Sequence, residues 1–159
     1  MPAAVVALAS RLLPSIAPSV APPEPVRTNP GQLDVVHVDD GTPIAAATVR
    51  VVAHVSAREG SIGIIAADVL VGSLRRALLD ADVAIGSAED EDDPRLMLVP
   101  ATVSKGLEFD HVVVVEPAQI VGAELRGLRR LYVVLTRAVS SLVIVHAEPL
   151  PELLAESGT

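Results

Sequence analysis

The 159-residue chain is half apolar and one-fifth charged, a composition that allows one folded domain with a substantial core. Its formal net charge of −8 argues against a protein that coats nucleic acid, and with one Phe, one Tyr and no Trp it offers few platforms for stacking bases. The absence of cysteine excludes disulfides, thiolate catalysis and cysteine-based zinc sites. No apolar run approaches the roughly 20 residues of a membrane span, so a cytoplasmic location is the default expectation.

Along the chain, helical and strand patterns alternate. A first helix is predicted over 3–13, and the closely spaced prolines that follow, up to Pro30, predict an extended connector. Short continuous apolar runs then predict strands at 33–40, 61–67, 83–86, 95–101, 112–115 and 141–147. Apolar residues at three- and four-residue spacing predict helices at 43–59, 69–81 and 123–138. Strands that are apolar throughout and alternate with helices predict an α/β fold, a parallel sheet with helices on both faces.

This pattern divides the chain into an N-terminal helix and proline-rich connector (1–32), one domain (33–148) and a C-terminal tail (149–159). The acidic run EDEDD at 89–93 is interpreted as a solvated loop, because nothing orients its carboxylates as a magnesium-binding pair would require. The four histidines show no metal-ligand spacing, so no metal site is expected. No G-x-x-x-x-G-K-[ST] loop is present to hold nucleotide phosphates, and the chain therefore contains no complete active site of its own.

The stretch SKGLEFD at 104–110 places a charged, glycine-centred turn directly before four valines. Gly106 lets the backbone approach a ligand closely, since it has no side chain to obstruct it. Lys105 offers a cation to a phosphate and Glu108 offers an acceptor to sugar hydroxyls, while Phe109 is expected to anchor the turn in the core. A solvated lysine beside a left-handed glycine is the alternative interpretation of the same turn.

A second stretch, LYVVLTRA at 131–138, places Arg137 at the end of an apolar predicted helix. A guanidinium there is suited to bidentate contact with a phosphoryl group. The alternative is an exposed arginine that interacts favourably with the helix dipole. Because ligands of open α/β sheets bind beyond the carboxyl ends of the strands, we expect both stretches to lie near such ends, or on the helix beside them, and to share a site.

Taken together, KGLEFD before an apolar strand and LYVVLTRA about twenty residues later resemble motifs V and VI of superfamily 1 helicases of the UvrD/Rep type. The resemblance covers residues 95–146 and is closest to the helicase IV/HelD-like branch, whose bacterial members act as ATP-driven factors on RNA polymerase. It implies the C-terminal, second RecA-like (2A) domain of such a protein. Pro100 and Thr102 stand where UvrD itself usually has a threonine and a histidine.

The resemblance implies a role for each matching residue. Arg137 is the expected arginine finger, the catalytic group that meets the γ-phosphate of ATP. Glu108 is expected to contact the ribose, and Gly106 to shape the loop beside it. The residues expected to couple the nucleotide cleft to nucleic acid or to another partner are Thr102, Ser104 and Lys105. The residues expected to position the finger helix are Tyr132 and Thr136.

The same resemblance implies ATP with Mg²⁺, held mainly by an upstream RecA-like (1A) domain, and DNA or RNA polymerase as a further partner. That upstream domain is expected to carry the phosphate loop and the magnesium acids, so this chain is expected to be a fragment that hydrolyses no ATP by itself. One alternative is a RecA-like protein-interaction module that has lost the motor. Another is a small doubly wound regulatory domain unrelated to helicases, in which EDEDD forms an acidic pocket.

Overall fold

In the part of the chain that the structure describes, five parallel strands form one sheet that is covered by helices on both faces. The computed structural model describes residues 1–21, 32–86 and 95–155. The order across the sheet is β1-β5-β4-β2-β3, and the strands are β1 (Gln32–His37), β2 (Ile62–Ala66), β3 (Leu96–Pro100), β4 (Phe109–Val115) and β5 (Ala138–His146). The helices are α1 (Ala3–Ser10), α2 (Leu13–Ile16), α3 (Ile44–Val55), α4 (Asp68–Asp80), α5 (Pro117–Gly122), α6 (Gly127–Leu135) and α7 (Glu152–Ala155), with a 3₁₀ turn at Ala101–Val103. The expected α/β architecture is confirmed.

The four valines of β4 are explained by burial on both faces of the sheet. Val112 and Val114 pack into a core that includes α1 and α6, whereas Val113 and Val115 pack into a second core beneath α3 and α4. All four side chains are fully buried. The carboxyl-terminal part of this central parallel strand has no solvent-facing side, which favours apolar residues on both faces.

The N-terminal and C-terminal helices join the first of these two cores. Leu12, beside α1, and Leu154 of α7 are buried in the same cluster as Val112. Among the described residues, no helix combines the length and apolarity needed to cross a membrane.

Three predicted elements differ from the structure. The single helix predicted at 3–13 is divided into α1 and α2 by a turn at residues 11–12. Of residues 83–86, only Gly86 pairs with the sheet, through an isolated bridge to Met97. The helix predicted at 123–138 is confined to α6, and the separate short helix α5 precedes it. A Cβ on Gly127 would overlap the carbonyl of Val121, so the chain breaks and packs its two helices closely at this glycine.

Three predicted segments lie wholly or partly outside the described residues. The EDEDD run at 89–93 falls within the gap at 87–94, and residues 22–31 of the proline-rich connector fall within the other internal gap. Residues 156–159 of the predicted C-terminal tail also lie outside the described residues.

Candidate functional site

The glycine-centred turn forms the middle of an eight-residue connection, residues 101–108, that joins β3 to β4. The Leu107 N–H donates to the Ser104 carbonyl at 3.1 Å, closing a four-residue turn. Gly106 occupies the third position with a φ of +86°, as a type II turn requires. Ser104 is buried, and its hydroxyl donates to the Ala101 carbonyl at 2.9 Å, which fixes the start of the turn.

Phe109 anchors the end of this turn, as expected. Its side chain is buried on the same face of the sheet as Val112. The ring occupies the space above Gly63 of the adjacent strand β2, where any Cβ would overlap it. Gly63 therefore provides the room that lets Phe109 hold the connection against the sheet.

Arg137 lies just beyond α6, and its side chain folds back onto the backbone. Its Nε donates to the Val133 carbonyl at 2.9 Å, and its Nη1 donates to the Leu107 carbonyl at 3.3 Å. The Thr136 hydroxyl oxygen accepts a long bond from Nη2 at 3.4 Å. The guanidinium is only half-buried, so it combines partial exposure with a fixed orientation.

Glu108 and Arg137 lie at the amino ends of β4 and β5, the edge opposite to the expected one. The Phe109 N–H donates to the Arg137 carbonyl at 3.1 Å, and Phe109 pairs with Ala138 in the sheet register. The expectation of a position near carboxyl ends is therefore wrong for these two residues. The reason is that the 101–108 connection returns from the carboxyl end of β3 to the amino end of β4 and so carries Glu108 across the sheet. The two stretches nevertheless meet, through the Arg137–Leu107 bond.

The remaining residues of the two stretches differ in exposure. Lys105 and Glu108 are exposed, as is Gly106, around which a Cβ would meet no atom within 4 Å. Tyr132 is half-buried and packs against the core beneath α6. The Thr136 hydroxyl donates to the Val133 carbonyl at 2.9 Å, and this carbonyl also accepts from Arg137.

Thr102 lies at the other edge of the sheet, in a network that the sequence did not reveal. Its hydroxyl donates to the Asp68 carboxylate at 2.7 Å, at the first turn of α4. Arg130 of α6 donates from Nη1 to the Thr102 carbonyl at 3.4 Å and forms an ion pair with Glu124 at 2.9 Å. These four residues line a cavity of about 210 Å³ whose remaining walls are apolar, formed by Ala67, Val69, Ala101, Ile120 and Ala123. Asp68 and Thr102 are 34 positions apart, and Thr102 was expected only as a coupling residue.

Glu116 is a second group at the carboxyl edge that the sequence did not single out. It follows β4 in the left-handed region with a φ of 51°, and its buried carboxylate accepts from the Ala147 N–H at 2.7 Å and the Glu148 N–H at 3.2 Å. Burial raises the pKa of this carboxyl above its ordinary value of 4.5, and the neighbouring Glu148 carboxylate adds to the rise, while the two backbone donors act in the opposite direction. Glu116 thus fastens the end of β4 to the segment after β5.

One serine–histidine contact also emerges from the fold. His111 Nδ1 lies 2.7 Å from the Ser141 hydroxyl, and Nε2 lies 2.8 Å from the Glu59 carbonyl. Arg58 donates to the same hydroxyl at 3.2 Å. His111 and Ser141 are only 7% and 3% exposed, so the pair stabilises the amino edge and is closed to a substrate.

The exposed groups at the amino edge can contact a nucleotide from one side. Arg137 offers a guanidinium suited to phosphate oxygens, Glu108 offers an acceptor suited to sugar hydroxyls, and the open space at Gly106 permits close approach. Residues 1–21, 32–86 and 95–155 contain no cluster of three or more metal-ligating side chains.

Comparison with known proteins supports the fold. No family model and no curated protein matches the chain. Among solved structures, it is similar to the C-terminal domain of a possible DNA helicase from Lactobacillus plantarum WCFS1, with 20% identity, a TM-score of 0.69, and coverage of 96% of this chain and 89% of that one. The chain has the fold of that helicase C-terminal domain, and the expected RecA-like class is confirmed.

A second match is to the arterivirus nonstructural protein 10 helicase, solved as a complex with DNA. The identity is 14% and the TM-score 0.46, over 78% of this chain and 31% of that one. This likeness is too low to support an argument, and it spans less than a third of the viral protein.

Proposed function

We propose that this chain is the C-terminal RecA-like domain of an ATP-dependent superfamily 1 DNA helicase or translocase, or of a HelD-like ATPase that acts on RNA polymerase. Its role is to supply Arg137, as an arginine finger, to ATP bound on a different domain. One observation carries the proposal: the Arg137 guanidinium donates to the Leu107 carbonyl, next to Glu108. This contact places the two stretches that resemble motifs V and VI at one edge of the sheet.

The half-buried state of Arg137 suits a group that becomes active on domain closure. Its present acceptors within the described residues are two carbonyls and a hydroxyl, all uncharged. Phosphate oxygens accept stronger, charge-assisted hydrogen bonds, so an approaching nucleotide can draw Nη1 away from Leu107. An arginine finger that stabilises charge on a transferring phosphoryl group is worth about 10³–10⁵ in rate.

The turn before β4 supports this role because a rigid strand backs a permissive loop. Phe109 is held above Gly63, whereas Lys105, Gly106 and Glu108 are exposed. A loop that changes conformation with the nucleotide state needs a fixed base and an unconstrained tip. In the proposed function Glu108 contacts the ribose, and Thr102, Ser104 and Lys105 couple the loop to nucleic acid or to a protein partner.

An ATPase assay on the purified chain tests the proposal. Because the sequence has no phosphate loop, the chain is expected to show no turnover with ATP and Mg²⁺. Clear turnover that persists in Arg137→Ala would defeat the proposal. Arg126→Ala, which removes an exposed guanidinium at the start of α6, is the matched control for charge.

A protein-interaction module that has lost the motor is the second candidate, and exposed aliphatic side chains favour it. Val69 (80%), Val103 (56%) and Leu125 (107%) are exposed, and each either lines the 210 Å³ cavity or adjoins a residue that does. Apolar groups gathered around a cavity are typical of surfaces that bind protein. The sequence encoded upstream of Met1 separates the candidates: a GxxxxGKT loop there favours the motor, and its absence favours the module.

A further inference from the structure

Helix α6 is bonded to the 101–108 connection near both of its ends. Arg130 donates from Nη1 to the Thr102 carbonyl at 3.4 Å, and Arg137 donates from Nη1 to the Leu107 carbonyl at 3.3 Å. The two arginines are seven positions apart, about two helical turns, so they can reach the same neighbouring segment. The connection is thus held from the first turn of α6 and from the residue that follows its C-cap.

Each arginine makes one short hydrogen bond that fixes its side chain and one longer hydrogen bond to the connection. The anchoring bonds are both 2.9 Å long, from Arg130 Nε to Glu124 and from Arg137 Nε to Val133. The reaching bonds, at 3.3 and 3.4 Å, are longer than the usual range for N–H···O bonds. The connection can therefore separate from α6 while the helix keeps its own contacts.

Thr102 joins this arrangement to the carboxyl edge of the sheet. Its hydroxyl is held by Asp68 of α4 at 2.7 Å, while its carbonyl is held by Arg130 of α6. From Thr102 the chain runs through the buried Ser104 to Leu107, whose N–H and carbonyl are both bonded. A displacement at Thr102 is thus transmitted through a short, constrained segment.

We propose that Arg130 is a positioning residue for Arg137. By fixing Thr102 at the carboxyl edge, it sets the position of the Leu107–Glu108 peptide at the amino edge and hence the orientation of the Arg137 guanidinium. This inference goes beyond the proposed function, because the coupling belongs to this chain and is measurable without nucleotide. In a motor it links events at the cavity to the presentation of the finger.

Hydrogen exchange in the ¹⁵N-labelled chain tests the coupling. Arg130→Met removes the guanidinium but keeps most of the apolar stem, and the readouts are the Leu107 amide and the Arg137 Nη–H protons, because Nη1 is the donor to the Leu107 carbonyl. Both are expected to exchange about three- to tenfold faster, the ratio for losing one hydrogen bond. Arg129→Met is the matched control on the same helix, because Arg129 donates instead to the Ile16 carbonyl at 3.0 Å. It should leave both rates unchanged.

A second variant keeps the test decisive if Arg130→Met fails to fold. Glu124→Gln weakens the anchor of Arg130 at an exposed position and should speed exchange at the same two sites. Equal effects of the Arg130 and Arg129 variants, or unchanged Arg137 exchange in a folded Arg130→Met or Glu124→Gln chain, would overturn the proposal. Such a result leaves the ATPase prediction standing, so the two proposals fail separately.

Discussion

The two edges of the sheet use their polar residues in different ways. At the carboxyl edge, Asp68 is bonded to Thr102 and Glu124 to Arg130. At the amino edge, Glu108 is exposed, and Arg137 donates to acceptors that carry no charge. The polar groups around the carboxyl-edge cavity satisfy one another, whereas Arg137 and Glu108 at the amino edge present charge that a ligand can neutralise.

Under the proposed function, the nucleotide meets this chain at the amino edge of the sheet, opposite to the usual position of ligands. The carboxyl edge is the usual place for ligands in open α/β sheets, and here it holds a 210 Å³ cavity. The groups suited to phosphate and ribose lie at the opposite edge, because the 101–108 connection ends at the amino end of β4 and Arg137 directly precedes β5. Substitutions at each edge test this difference.

The largest loss of stability is expected beside Phe109, which anchors the 101–108 connection at the amino edge. Gly63→Ala should lower the free energy of unfolding by about 2–3 kcal/mol, since its Cβ would overlap the Phe109 ring in a packed core. Urea denaturation measures the loss. Gly72→Ala in α4, which meets no atom within 4 Å, is the control and should be neutral or stabilising. Equal losses of stability for the two variants would show that Phe109 does not anchor the connection.

The second-largest loss of stability is expected at Gly106, in the turn of residues 104–107. Gly106→Ala should cost about 1–2 kcal/mol, because an L-residue at a φ of +86° is strained even though the space around it is open. Gly106→Asn should recover part of the loss, since asparagine tolerates the left-handed region better. Thermal unfolding of the three chains ranks them, and an alanine variant as stable as the wild type would contradict the assigned turn.

At the carboxyl edge, the expected loss of stability is smaller. Asp68→Ala should cost about 1 kcal/mol, because it removes the acceptor for Thr102 and a negative charge from the first turn of α4. Asp80→Ala, at the last residue of the same helix, should cost less, since a carboxylate there opposes the helix dipole. Urea denaturation that shows the opposite order would argue against the Asp68–Thr102 link.

The smallest effect is a dependence on pH at Glu116. A raised pKa in the folded state means that the folded chain binds this proton more tightly than the unfolded chain. The resulting stabilisation is fully present below about pH 4.5 and is lost as the pH rises through the raised value. The stability of the wild type relative to Glu116→Gln should therefore decrease between pH 4 and pH 7.

Denaturation of both chains across that range provides the measurement. Glu148→Gln is the control, because it removes the neighbouring carboxylate and should leave a reduced version of the same pH dependence. A difference between wild type and Glu116→Gln that stays constant with pH would exclude the raised pKa.

Much of the fold was predictable because strand segments that are buried on both faces appear in the sequence as runs of apolar residues. Apolar runs form β2 and the later parts of β4 (112–115) and β5 (142–145). The predicted helix at 43–59 contains α3, and the one at 69–81 overlaps all of α4 except its first residue. The break before α6 was not predictable, because it depends on the close approach of Gly127 to Val121 in space.

The candidate site was predictable in its residues but not in its surroundings. Arg137 and Glu108 were selected by residue type and by resemblance to known motifs, and the structure brings Arg137 to the peptide before Glu108. The bonds to Asp68 and Arg130 join positions about thirty residues apart, so only the sheet topology reveals them. The edge of the sheet at which the site lies also required the path of the 101–108 connection.

The central claim is that the amino edge, through Arg137, meets a nucleotide held mainly by another domain. Titration of the ¹⁵N-labelled chain with millimolar ATP and Mg²⁺ tests it most directly. The account predicts weak, saturable shifts of the Arg137 Nε–H and of the amides at Gly106 and Glu108, and the two amide shifts are lost in Arg137→Ala. Shifts confined to Thr102 and Ala123 beside the carboxyl-edge cavity, or shifts that survive Arg137→Ala, would contradict it.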